Sequence, residues 1–104
     1  MNDKLKQEIV MSRVKVTKEV PEEDKYELLA EECCELAKAA LKMQRIFRKA
    51  NKPNMSVTDI QSSLKEEFTD VIVVADVLGL KADEYIYASK ILRWANRLPG
   101  KDEE

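Results

Sequence analysis

The chain has no histidine, only two glycines and only three prolines. Each shortage closes off a class of protein. Without histidine there is neither a Cys/His zinc site nor the Glu-x-x-His pairs that build di-iron helical bundles. So little glycine and proline is the composition of a helical protein rather than of a β-sandwich or a disordered chain. A glycine-rich phosphate loop of the Walker type is also missing, which excludes a P-loop NTPase. The two cysteines, Cys33 and Cys34, are adjacent and form no CxxC pattern. They therefore indicate no disulfide framework and are expected to be reduced, partly buried helix residues of a cytoplasmic protein. No apolar run could span a bilayer, because the longest, Val71 to Leu80, contains Asp76. Met1 to Val10 lacks the apolar segment of a signal peptide. Eighteen basic and twenty acidic residues leave a net charge of -2. No overall field draws the protein to nucleic acid or to an anionic membrane, and neither partner is expected.

What the chain does have is helical periodicity. At 104 residues, 44% apolar and 37% charged, it is read as a single all-α domain with one modest core. The motif-bearing part covers about 21–98, and residues 1–19 and 99–104 are peripheral. Leu5, Ile9, Val10 and Val14 suggest a short helix in the first nineteen residues. A long helix is expected from Pro21-Glu22-Glu23-Asp24, where proline and acids suit a first turn. Its stripe Tyr26, Leu29, Cys33, Leu36, Ala40, Met43, Phe47 reads as core, and it should fade by the breaker cluster Asn51-Lys52-Pro53-Asn54. Ser56 can cap a second helix, with an acid at Asp59, running to about Leu78 and stopped by Gly79. Its Val71 to Val74 portion is apolar nearly all round, which implies cover from a second copy and hence a homo-oligomer. A third helix from about Ala82 to Arg97 has a packing face of Tyr87, Ile91, Trp94 and Leu98. Its other stripe, Ile86, Lys90, Arg93, Asn96 and Arg97, is cationic.

Charge interrupts two apolar rows. Leu28, Glu32, Glu35, Ala39 and Ile46 lie along one helix face, as do Ile60, Ser63, Glu67, Asp70, Val74 and Val77 along another. Facing each other, the rows would bring four carboxylates together, an arrangement costly to desolvate unless a cation sits among them. Oxygen-only ligation suits Mg²⁺ or Mn²⁺. Magnesium shares its coordination sphere with water and phosphate oxygens, so the expected substrate is phosphorylated, with Lys90, Arg93 and Arg97 available to meet the remaining phosphate charge.

Glu31-Glu32-x-x-Glu35 followed by Glu67-x-x-Asp70 resembles the EExxE…ExxD signature of the MazG-like, all-α nucleoside triphosphate pyrophosphohydrolases. Lys90-x-x-Arg93-x-x-Asn96-Arg97 is similar to the basic, asparagine-containing helix near the end of that family's core. The likeness covers roughly residues 25–98, with a longer interval between Glu35 and Glu67 than is common there. It implies an antiparallel helical bundle assembled as a dimer or tetramer. It further implies Mg²⁺-dependent hydrolysis of a ribo- or deoxynucleoside triphosphate to monophosphate and pyrophosphate, in nucleotide-pool control or house-cleaning. By the same resemblance Glu32, Glu35, Glu67 and Asp70 would ligate the metal, Glu31 would join them at the catalytic centre, and Lys90, Arg93, Asn96 and Arg97 would bind substrate. Two other readings stand beside it. One is a phosphoribosyl-ATP pyrophosphohydrolase of the same fold. The other is a non-catalytic helical interaction module whose acids pair with basic side chains of a partner. Asp76 reads as a hydrogen-bonding group between helices rather than a ligand, and Lys38 and Lys42 as ordinary helix surface.

Overall fold

Side-chain caps mark where the helices begin. In the computed structural model, which describes residues 1–48 and 56–100, the chain forms α1 (Asp3–Glu19), α2 (Glu22–Arg48), α3 (Val57–Val77) and α4 (Glu84–Arg97). The described residues are all-α. Asn2 Oδ1 accepts the Leu5 amide at 2.8 Å, Ser56 Oγ accepts the Asp59 amide at 3.1 Å, and Asp83 Oδ1 accepts the amides of Tyr85 and Ile86, each at 2.9 Å. Each of these oxygens satisfies donors that a helix start leaves without a partner. α3 ends in a Schellman turn: the Leu80 amide reaches back to the Ala75 carbonyl at 2.9 Å and the Gly79 amide to that of Asp76 at 3.0 Å. Gly79 has φ +73°, a left-handed conformation that glycine adopts without penalty. The Asn51–Asn54 breaker cluster and residues 101–104 of the tail lie outside the described residues.

One helix pair carries the packing. α2 and α3 run antiparallel, since the middle of α2 lies against Asp70 and Glu67 while its later turns lie against Ser63. The buried and half-buried positions of α2 are Lys25, Leu29, Glu32, Leu36, Ala39, Met43 and Ile46. Those of α3 are Ile60, Ser63, Leu64, Glu67, Asp70, Val71 and Val74 to Val77, among which Ile60, Leu64, Glu67, Val71 and Val74 form one row. Both rows step alternately by four and three residues. That is the 3.5-residue seam of a coiled-coil hairpin.

The seam corrects the expected core stripe. Leu29, Leu36 and Met43 belong to it, but Tyr26, Cys33, Ala40 and Phe47 face solvent, and both cysteines are exposed rather than partly buried. The cause is the number of neighbours: a helix packed on a single partner buries one narrow stripe, and the apolar residues flanking it stay outside.

The outer helices add little cover. α1 touches α3 along one edge, where Arg13 Nε meets Asp76 Oδ2 at 2.8 Å, so Asp76 is indeed a group between helices. α4 brings no Cα within 8 Å of any other helix. Its expected packing face is therefore covered by no other helix among the described residues, with Trp94 61% exposed. The total surface is 9259 Å², half as much again as the roughly 6,000 Å² a folded monomer of this mass exposes. The radius of gyration is 18.4 Å, against about 13 Å for a compact chain of this length.

At the corner between α1 and α2 stands a buried lysine. Lys25 is 1% exposed, and its ammonium donates to the Thr17 carbonyl at 2.8 Å and to Glu22 Oε1 at 2.6 Å. The charge thus meets both the negative end of α1 and a carboxylate. Lys25→Met would leave the Thr17 carbonyl without its donor while Glu22 turns to water, so a loss of about 1–3 kcal/mol is expected. Ile60→Ala, at a seam position 1% exposed, is expected to cost more, about 2–5 kcal/mol. Urea unfolding of both variants at one protein concentration checks the order.

Candidate metal centre

Three acids converge because the seam contains them. Glu32 is a seam residue of α2, Glu67 a seam residue of α3, and Asp70 lies one turn beyond Glu67. Packed helices stand about 8–10 Å apart, so carboxylates directed inward from both sides meet near the middle. One carboxylate oxygen from each of Glu32, Glu67 and Asp70 lies within 4.8 Å of the other two.

The remaining predicted residues are placed differently. Glu35 sits three residues past Glu32, just off the seam, and its Oε1 accepts from Lys38 Nζ at 3.2 Å. It nevertheless lines a cleft with Glu67. Glu31 points to solvent. Lys90, Arg93, Asn96 and Arg97 are carried by α4, which approaches neither α2 nor α3, and none of them makes an ion pair among the described residues. One chain therefore brings three of the four expected ligands together and leaves the cationic stripe away from them.

A different set of cations borders the acids. A half-open cleft of about 230 Å³ beside the triad is lined by Glu35, Lys38, Lys42, Arg45, Ser63 and Glu67. Lys42 and Arg45 have no acidic partner among the described residues. The sequence signal for them is the run Glu35, Lys38, Lys42, Arg45, which descends one flank of α2 at helical spacing beside the seam. Read alone it is ordinary surface; the antiparallel partner turns that flank into a wall.

Crowding shows in the acid at the centre. Partial burial, followed by the negative charges of Asp70, Glu35, Glu32 and Glu66, holds the Glu67 carboxyl above the usual carboxylate range. The donor set fits a hard divalent cation. It is oxygen-only, its acids repel without a counter-charge, and it is open enough on one side for water or phosphate oxygens to complete the coordination sphere, as Mg²⁺ requires.

No family model, curated protein or solved structure matches this chain. Its site is thus described by its own chemistry.

A carboxyl whose folded-state value lies above its unfolded value stabilises the fold below the unfolded value, and that contribution is lost as pH rises through the folded one. In EDTA, Glu67→Gln is therefore expected to melt above the wild type at neutral pH, the difference narrowing as the pH falls into the carboxylate range. Mg²⁺ is expected to raise the melting temperature of the wild type and to do so far less for the variant. Thermal unfolding across pH, with and without Mg²⁺, measures both.

Proposed function

We propose that this chain is a Mg²⁺-dependent nucleoside triphosphate pyrophosphohydrolase of the MazG-like kind, working as a homo-oligomer. The observation that carries the reading is the meeting of Glu32, Glu67 and Asp70 beside a cleft that Glu67 lines and whose α2 flank carries Lys38, Lys42 and Arg45. An acid cluster alone serves many ends. An acid cluster beside Lys38, Lys42 and Arg45 suits a ligand with negative charge at one end and a cation bound at the other, which describes a metal–polyphosphate.

Glu32, Glu67 and Asp70 would hold the cation, with Glu35 at the rim. When bound, Mg²⁺ offsets charge on the phosphates and favours hydroxide over water as nucleophile. The chain's own part is to position. Lys42 and Arg45 draw the phosphates into the cleft, and Glu35, adjacent to the triad, is placed to orient a water for in-line attack on the α-phosphorus. The water oxygen forms a new bond to the α-phosphorus and gives up a proton to a carboxylate of the cluster or to solvent, the bond from that phosphorus to the α–β bridging oxygen breaks, and pyrophosphate leaves with the bridging oxygen. The order EExxE…ExxD along two successive helices supports the same reading. The base and sugar, ribose or deoxyribose, are assigned by the assay.

Purified protein incubated with a panel of ribo- and deoxynucleoside triphosphates is expected to release monophosphate and pyrophosphate with Mg²⁺ and not with EDTA. Glu67→Gln and Asp70→Asn are each expected to reduce kcat/KM by about 10²-fold or more, beyond what loss of a group merely supporting a metal ligand costs. Lys42→Ala is expected to raise KM by about tenfold, the worth of one charge-assisted hydrogen bond. Absence of turnover on every nucleotide, from a protein that folds and binds Mg²⁺, would move the acids to the role of an interaction module.

A further inference from the structure

Two apolar surfaces of this chain lack partners, and they match. The first is α4. Tyr87, Ile91, Trp94 and Leu98 share one side of the helix, bordered by Ala88 and Ala95 along one edge and by Lys90, Arg93 and Arg97 along the other. All four apolar side chains are exposed, and among the described residues no other helix approaches this one. The second is a groove of about 1,030 Å³ between α1 and the C-terminal half of α3, walled by Leu5, Ile9 and Val16 on one side and Ile72, Val73 and Leu80 on the other. Of its charged members, Arg13 pairs with Asp76 and Lys25 with Glu22 and the Thr17 carbonyl, while Glu8 and Lys81 at its margins make no ion pair among the described residues.

We propose that α4 of one copy of this chain seats in the α1–α3 groove of a second copy, and that the second copy's α4 fills the groove of the first. The inference rests on the homo-oligomeric part of the proposed function and on none of its catalytic part. Length agrees, because a 14-residue helix is about 21 Å long and the groove wall from Leu5 to Val20 spans about 22 Å at the same rise per residue. Polarity agrees, since the apolar arc of α4 enters a groove walled mainly by apolar side chains while Lys90, Arg93 and Arg97 lie outside that arc. Direction agrees as well. Leu80, Lys81 and Ala82 line the end of the groove, but Asp83 caps α4 in an extended conformation and sends the helix away from it. Area agrees, because the chain exposes about 3,000 Å² more than a folded monomer of its mass, well above the roughly 800 Å² per partner of an ordinary interface and in the range of obligate assemblies. Reciprocal exchange about a twofold axis fills both grooves at once and leaves no open end to propagate a fibre.

Trp94 is the chain's one tryptophan, so its fluorescence reports on α4 directly. Sedimentation and emission spectra of the full-length protein at micromolar concentration, without nucleotide or added metal, test the exchange. The expected result is a dimer, or a larger even-numbered assembly, with blue-shifted Trp94 emission. Dilution should red-shift the emission in step with dissociation. Ile91→Asp on α4 and Ile9→Asp on α1, both outside the α2–α3 seam, should each give monomers with red-shifted emission. The milder Ile9→Ala should raise the dissociation constant by roughly tenfold or more through lost apolar burial. A monomer overturns the exchange together with the oligomeric reading, whether Trp94 is buried against its own chain or exposed. A stable assembly with solvent-exposed Trp94, or one insensitive to Ile9→Asp, overturns the exchange and leaves a homo-oligomer joined elsewhere. None of these readouts depends on hydrolysis, so failure of the catalytic reading is detected separately by the nucleotide panel.

Discussion

The antiparallel seam between α2 and α3 is the contact on which everything else in this chain depends. It is where side chains are removed from water in quantity, and it sets which flank of each helix faces what. Helices paired along a 3.5-residue stripe interlock at fixed levels. Glu32 therefore stands opposite the Glu67–Asp70 turn by the same register that brings the later turns of α2 against Ser63. The site is not appended to the fold; it is one level of the packing in which acids replace leucines. That substitution is costly in an apolar stripe unless a counter-charge is supplied. Partial burial and four neighbouring acids acting on Glu67 are the local sign of the cost.

How far the sequence discloses this can be judged residue by residue. Ser56 and Gly79 announce the two ends of α3 because capping and left-handed turns are local chemistry, decided within four residues. The acid pairs are legible for a similar reason: charge inside an apolar row is an anomaly at any single position. The phase of the seam is not legible. α2 has apolar residues on more than one side, and hydropathy prefers Tyr26, Cys33 and Phe47 to Lys25 and Glu32, although the latter two are the ones drawn inward. Lys25 is buried because of a carbonyl contributed by the preceding helix, and Lys42 and Arg45 become the wall of a cleft because of a helix that follows. Neither partner is visible from the residue itself. That no other described helix approaches α4 is still further from the sequence, whose Tyr87–Leu98 stripe is what a packed helix displays whether its neighbour belongs to the same chain or to another.

The position of charge along α2 follows one logic from end to end. Glu22, Glu23 and Asp24 occupy the first turn and Arg45 and Arg48 the last, as the helix dipole favours. Between them Glu32 and Glu35 give way to Lys38 and Lys42. An anion carrying a cation at one end would thus find its charge reversed along the helix in the order it needs. The dipole and the cleft ask for the same arrangement, so the pattern that stabilises the isolated helix also equips its exposed flank.

The crowding of Glu32, Glu67 and Asp70 bears on how the hairpin is joined. Toward one end the seam is closed by Ile60 and Ala39 and toward the other by Lys25 with its two acceptors, while its middle level holds groups that repel. The two helices are thus least tightly joined by apolar packing at that level, where like charges stand in place of apolar side chains. A cation held at that level would bind both helices through the same three side chains, and the level that interrupts the apolar seam would become its clamp.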